Sequence, residues 1–367
     1  MTAAAPLPAL DRRARLEGVI GALGGTADAL VVTKGVNVRW LCGFTGSNAT
    51  LLLAADRRLL VTDGRYAEQA AAELAAADVE VELAVTSPTG PTIRGAADGL
   101  TTVALEAAAV TWDEQRRIAA DWLPDAVLVP TVDLVERCRE RKEPGEIARI
   151  EAAAAIADAA LAEVAPSLLD GPTEAEVASA LDVAMRRRGA EGPAFDTIVA
   201  SGPDSARPHH RPGARRIAPG DLVVIDMGAC VDGYRSDMTR TFVVGDPTPA
   251  QQRMLDVVTA AQSAGVAAIA PGVACSAVDA AAREVIAAAG WADAFVHPTG
   301  HGLGLEIHEA LRLSTTSAAT LAAGHAVTVE PGVYLSGTGG VRVEDTVEVT
   351  ADGARPLTRF PKAAAPA

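Results

Sequence analysis

Short apolar runs separated by Ala/Glu-rich stretches fill the first 141 residues. Arg12 to Leu23 reads as an opening helix. Ala29 to Thr33 is a continuous apolar run, as a buried strand shows, and the alternation in Asn37-Val-Arg-Trp-Leu41 predicts a second strand. Thr50–Ala54 and Arg58–Thr62 predict a hairpin turned at Ala55-Asp56-Arg57. Arg65 to Ala77 reads as a helix, and Val79-Glu-Val-Glu-Leu83 has the period of a half-exposed strand. Apolar runs near Val103 and Val127 bracket a helix from Trp112 to Trp122. Strand and helix taking turns predicts a small α/β domain.

Lys142-Glu-Pro-Gly-Glu146 interrupts that rhythm, and Pro144 suits the first turn of a new helix. The boundary is therefore placed near residue 141, giving domains 1–141 and 142–367. The second domain opens with helices at Ile147–Leu169 and Thr173–Arg187, the latter capped by Thr173 with Glu176. A short strand at Thr197–Ala200 leads to Val223–Thr241, VVIDMGACVDGYRSDMTRT. There two apolar arms flank Asp232-Gly233, a strong hairpin signal. Helices at Gln251–Ile269 and Ala277–Ala289 follow, then strands at Ala326–Glu330, Gly332–Leu335 and Val341–Thr350. Two helices followed by strands thus occur twice, over 147–243 and 251–350, and predict an α+β domain.

Composition narrows the function classes. The 367 residues are 49% hydrophobic and 22% charged, with a net charge of −15, which disfavours a nucleic-acid partner. Cys42, Cys138, Cys230 and Cys275 form no CxxC and are read as reduced thiols. No basic segment followed by an apolar one opens the chain, and no stretch of about 18 uncharged apolar residues is present. The expectation is a cytoplasmic protein with no membrane partner.

Each arm of the predicted hairpin carries an aspartate, Asp226 and Asp237, at strand positions where Asp is disfavoured. Two carboxylates on paired strands repel unless a cation or shared proton lies between them. Glu330 ends the apolar run Val327-Thr-Val-Glu-Pro-Gly332, and Glu344 alternates with Val341, Val343 and Val347. All six histidines fall in the second domain, among them His301 in His297-Pro-Thr-Gly-His-Gly-Leu-Gly304. Taken singly, each of these residues suits a turn or a solvent face. Together, four carboxylates and an imidazole in apolar or Gly-rich surroundings suit two divalent cations such as Mn²⁺ or Co²⁺. Such a pair activates a hydrolytic water.

The motifs VVIDMG, GYRSDMTRT, HPTGHGLGLEIHE, VTVEPGVY and VRVEDT, in this order, resemble the pita-bread metallopeptidases. The first domain, with Asn37-Val-Arg-Trp-Leu41 and Phe44-Thr-Gly-Ser-Asn48, resembles the creatinase/prolidase N-terminal domain. The resemblance implies an α/β N-terminal domain and an α+β pita-bread catalytic domain. It implies Asp226, Asp237, His301, Glu330 and Glu344 as ligands of two divalent metal ions, Mn²⁺ foremost, with Co²⁺ or Zn²⁺ as alternatives. Asp237 and Glu344 would bridge both ions. It implies catalytic roles for His297, His308 and Glu330, and substrate contacts for His209 and Arg342. His209 is chosen over His210 because it lies seventeen positions before Asp226. The activity implied is cleavage of the bond before proline in short peptides by a homodimer. An Xaa-Pro aminopeptidase is the main expectation and an Xaa-Pro dipeptidase the alternative. A metal-free peptide-binding module is the remote one.

Overall fold

Six strands, in the order Glu82–Val85, Arg58–Thr62, Thr50–Ala54, Ala29–Val32, Thr102–Glu106 and Val127–Thr131, form the mixed sheet of residues 9–139. The computed structural model describes residues 6–362. It contains two compact units, this one and a second built from residues 6–8 and 140–362. In the first, Val31, Leu52, Val61, Val103 and Leu105 pack with Ile93 and Ile118 from helices.

Three expectations for this unit change. Asn37 to Leu41 lies in the helix Gly35–Cys42, not in a strand. Its buried positions, Asn37, Val38, Trp40, Leu41 and Cys42, follow helical spacing, so the alternation seen in sequence was incidental. The strand expected at Val79–Leu83 begins instead at Glu82, where parallel pairing of Leu59 with Glu82 fixes its register. The helix from Trp112 becomes a wider π turn over Ile118–Trp122. Helices Thr89–Ala96 and Leu134–Glu140 were not expected; the first carries Gly90 and Pro91, which weaken its sequence signal.

In the second unit, Pro144–Val164 starts with Pro144 in its first turn and a capping box between Glu143 and Glu146. Continued to Asp170, this segment is long and apolar enough to cross a membrane by length and composition. Its Ala153, Ala157, Ala160 and Leu161 instead pack against Leu181, Val223, Ile225 and Phe242, as a core helix does. Thr173 caps Glu174–Arg187 in a capping box with Glu176. The second helix pair, Pro249–Ala267 and Cys275–Ala288, repeats the arrangement in element order.

The expected hairpin is present in two stages. Leu222–Met227 pairs antiparallel with Met238–Val243, with Asp226 opposite Thr239, and Ile198–Ser201 flanks the first of these on its other edge. Beyond Gly228 the ladder re-forms as Ala229–Val231 against Tyr234–Arg235. A Cβ at residue 228 would lie 1.9 Å from the Ser236 carbonyl oxygen, so only glycine permits this crossing. At the tip Asp232 and Gly233 have φ of 47° and 77°, the two positive values a type I′ turn needs.

A five-stranded sheet orders Glu309–Leu313, Gly300–Gly302, Ala326–Val329, Asp345–Thr350 and Gly353–Pro356. The strand expected over Val341–Thr350 is broken. Gly339–Arg342 pairs with Gly332–Leu335 as a separate ribbon, and Asp345–Thr350 joins the large sheet. Val343 and Glu344 form the step between them, and the Glu344 N–H donates to the Thr239 carbonyl at 3.1 Å. That step brings the second sheet against the first at the strand Met238–Val243, where Thr239 lies opposite Asp226.

A candidate metal centre and its cleft

The two sheets converge on a cleft of about 280 Å³. Its walls include Asp226 and Asp237 from the hairpin, His301 from Gly300–Gly302, and Glu330 and Glu344 from the ends of the later strands. His209, His297, His308 and Arg342 line the same cleft, so every site residue expected from sequence falls in one place.

The carboxylates are under electrostatic pressure. Burial and then the charges of Glu344 and Asp226 hold the Asp237 carboxyl well above its ordinary value. Burial, then Glu330 and Asp226, do the same for Glu344. Burial pushes Glu330 up to about 8, against the opposing pull of Arg342. Thr239 Oγ1 donates to Glu344 Oε2 at 2.6 Å and accepts from Arg342 Nε at 3.0 Å. Arg342 Nη2 donates to Asp226 Oδ2 at 2.6 Å. Asp226 Oδ1 and Glu344 Oε1 are buried with no hydrogen-bond partner among the described residues. A buried carboxylate oxygen without a partner costs free energy unless a cation meets it.

His301 points to the same conclusion. Its Nδ1 lies 3.0 Å from the Gly302 carbonyl, which only accepts, so Nδ1 carries the proton. Burial lowers its pKa to about 3, so the ring is neutral near pH 7 and Nε2 presents a lone pair. That nitrogen faces Asp237 Oδ2 at 3.5 Å and Glu330 Oε1 at 3.4 Å. A lone pair facing two carboxylate oxygens needs a proton or a cation between them. Backbone-tied Nδ1 with Nε2 presented is also how a metal-ligating histidine is oriented. Asp237, His301 and Glu344 each offer a ligand atom within 4.8 Å of the others'. An oxygen-rich set with one imidazole fits divalent ions.

The other histidines differ among themselves. His297 Nδ1 meets the Pro298 carbonyl at 2.8 Å, and its Nε2 meets Tyr334 Oη at 2.9 Å. Burial, then Arg342, lower its pKa to about 4. The neutral ring therefore donates through Nδ1 and accepts the tyrosine proton at Nε2, leaving neither nitrogen for a substrate. Tyr334 in turn accepts from Arg342 Nη1 at 2.9 Å. The chain His297–Tyr334–Arg342–Asp226 thus runs from the cleft wall to the carboxylates. His308 makes no side-chain hydrogen bond among the described residues and packs edge-on against His301, ring centroids 4.4 Å apart. Burial, then the Arg312 charge, lower its pKa.

Sequence reasoning missed Tyr334 and Arg312. Tyr334 sits in the quoted VTVEPGVY motif, where it reads as an ordinary strand aromatic. Arg312 is exposed, lines the cleft, and makes no side-chain hydrogen bond or ion pair among the described residues. It is backbone-paired to His301, so its place on the cleft is set by strand register alone.

Carboxylates, a neutral imidazole and orphaned oxygens in a cleft between two sheets define a metal-dependent hydrolase. Residues 148–351 match Metallopeptidase family M24, and residues 12–141 match the Creatinase/Prolidase N-terminal domain. The chain belongs to metallopeptidase family M24. It is 40% identical over 349 residues to the uncharacterized peptidase YqhT of Bacillus subtilis, covering 95% of this chain and 98% of that one. Among solved structures, the Xaa-Pro dipeptidase from Bacillus anthracis superposes with a TM-score of 0.91 at 35% identity, covering 97% and 99% of the two chains. The X-Pro aminopeptidase from Thermotoga maritima gives 0.88 at 34% identity, covering 95% and 99%. The fold is accordingly a creatinase-type α/β domain followed by a pita-bread domain, and the protein is a metallo-exopeptidase.

Proposed function

We propose that the protein hydrolyses the bond before proline in short peptides, with Xaa-Pro dipeptides as its main substrates. This reverses the order of the two readings drawn from sequence. The observation that carries it is Arg312, a cation on the cleft wall with no side-chain partner among the described residues. A dipeptide places its terminal carboxylate one residue beyond the cut bond, where a longer peptide has a neutral amide. An unpaired guanidinium there favours the dipeptide by a charge-assisted pair. Similarity to a solved Xaa-Pro dipeptidase supports the same choice. Similarity to an X-Pro aminopeptidase keeps the longer-peptide reading as the second one.

Asp226, Asp237, His301, Glu330 and Glu344 are the residues that would hold two divalent ions, Mn²⁺ first among candidates. When bound, such ions polarise a carbonyl and acidify water. Glu330 takes a proton from the attacking water and passes it to the proline nitrogen. The water oxygen bonds to the carbonyl carbon, the C–N bond breaks, and proline leaves as a secondary amine. His308, with uncommitted ring nitrogens, donates to the carbonyl oxygen as negative charge grows there. His297, its nitrogens committed, holds Tyr334 and through it Arg342. His209 faces the substrate from the opposite loop. Phe195, Ile198, Pro298 and Ile307 give the cleft apolar surface against which a proline ring packs. A cytoplasmic homodimer remains our reading of its setting.

The test is a panel of Xaa-Pro, Xaa-Pro amide and Xaa-Pro-Yaa-Zaa peptides assayed with Mn²⁺, Co²⁺ and Zn²⁺. Dipeptides should give the highest kcat/KM, and amidation should lower it. Preference for the tetrapeptide would restore the aminopeptidase reading, and cleavage of neither would end the proline one.

A further inference from the structure

His210 is the histidine that the proposed mechanism leaves unused. It follows His209 in Pro208-His209-His210-Arg211-Pro212, and its side chain points away from the cleft. Its Nε2 meets Glu174 Oε2 at 2.8 Å, where the two side chains are 11% and 0% exposed. Glu174 begins the helix Glu174–Arg187 and is buried. Its Oε1 also accepts from the Ser201 N–H at 2.8 Å and Ser201 Oγ at 2.7 Å. Its Oε2 accepts from the Gly213 N–H at 3.1 Å as well. Burial works to raise its pKa, but donors from Ser201, His210 and Gly213 outweigh it and hold the carboxyl below its ordinary value. A carboxylate only accepts, so the His210 nitrogen bonded to it carries the proton.

Glu174 therefore gathers both ends of the loop 201–213 and its penultimate turn. On the far side the loop is fixed to the ribbon. The Gly340 N–H donates to Ser205 Oγ at 2.8 Å, and Arg342 Nη1 donates to the Pro208 carbonyl at 3.3 Å. His209 stands between these two anchorages, exposed and on the cleft wall, with no side-chain hydrogen bond of its own among the described residues. Pro208 and His209 form the corner of a turn closed by the His210 N–H to the Arg207 carbonyl at 3.2 Å, so anchoring the His210 end holds the turn that carries His209.

We propose that His210 and Glu174 form a clamp that positions the His209 imidazole in the cleft, making His210 a positioning residue for substrate binding. Asp204 also lies near this pair, and the three side chains could in geometry hold a cation. The clamp explains them without one, since the Glu174 oxygens have donors and Asp204 Oδ1 is 2.9 Å from Arg207 Nη1. The inference rests on the reading that His209 meets the substrate.

The test is a double-mutant cycle on the full-length enzyme with its preferred proline peptide. His210→Ala should raise KM about tenfold, the scale of one charge-assisted hydrogen bond, with a smaller change in kcat. His210→Gln, whose amide N–H reaches the same carboxylate, should recover most of the loss. In a His209→Ala background, His210→Ala should add nothing, because its effect passes through His209. Additive losses, an unchanged KM in His210→Ala, or the loss of a bound metal ion in that variant would each overturn the clamp. Failure of the proline reading shows separately, as a wild type inert toward every peptide of the panel. The clamp is then read from the His209 imidazole resonances, which should shift in His210→Ala and hold in His210→Gln; the same spectrum in both variants would overturn it.

Discussion

Arg342 Nη2 lies 2.6 Å from Asp226 Oδ2, while Oδ1 of the same carboxylate is buried without a partner among the described residues. The guanidinium fixes one oxygen and aims the other at the carboxylate cluster. Arg342 is itself 3% exposed, and burial opposes its charge while Tyr334, Asp226 and Glu330 hold that charge in place. Replacing Arg342 with Met removes the partner that orients Asp226. Metal affinity should fall by about 10- to 100-fold, the usual effect of losing a group that orients a ligand. Titration of the metal-free variant with Mn²⁺, followed by calorimetry, measures this. Arg342→Lys should recover only part, since an ammonium cannot reach Asp226, Thr239 and Tyr334 together.

The carboxylate cluster makes metal binding and pH inseparable. Glu330 moves from an ordinary 4.5 to about 8 in the folded chain, so without metal the fold favours its protonated form. That contribution is complete below pH 4.5 and is lost as pH rises toward 8. Metal-free protein should therefore lose melting temperature over this window through the cluster. The gain in melting temperature on adding Mn²⁺ should grow over the same window. Binding should also release protons, visible as a dependence of the calorimetric heat on the buffer. A metal-induced gain independent of pH would contradict the cluster's protonation.

Glu330 and His308 are assigned to proton transfer and to the developing oxyanion. Removing a group that acts only in the transition state lowers kcat and leaves KM near its original value. His308→Ala should lower kcat by roughly 10²- to 10³-fold, the range for one oxyanion donor. Glu330→Gln should lower kcat further, and metal analysis will show how far lost metal accounts for it. Unchanged turnover in either variant removes that residue from the mechanism.

In the proposed function Arg312 sets the length of the substrate. Arg312→Met should raise KM for an Xaa-Pro dipeptide by about tenfold, the scale of one exposed charge-assisted pair, and leave kcat nearly unchanged. The amidated dipeptide and the tetrapeptide should be affected little. The ratio of kcat/KM between dipeptide and tetrapeptide is the quantity to follow.

How far the sequence foresaw this site differs residue by residue. Asp226 and Asp237 stood out because carboxylates at strand positions need a reason, and the Asp232-Gly233 turn showed that their strands pair. Glu344 was harder to read: as one member of an alternating strand it suited a solvent face. It is buried because the strand is broken there and the chain steps between sheets. His209 and His210, adjacent in sequence, face opposite ways because Glu174 holds one of them, which a linear pattern does not reveal.

Local chemistry, then, was enough for the helix pairs of the second domain, the capped starts at Pro144 and Thr173, the hairpin, and the identity of a carboxylate-and-imidazole set. Those features depend on neighbours a few residues apart, which the chain specifies directly. Only tertiary structure decided that Asn37–Leu41 is helical, that both nitrogens of His297 are committed, and that Arg312 stands on the cleft wall unpaired among the described residues. Each depends on which distant groups meet a given side chain. Burial and opposing charge are properties of that meeting rather than of the residue.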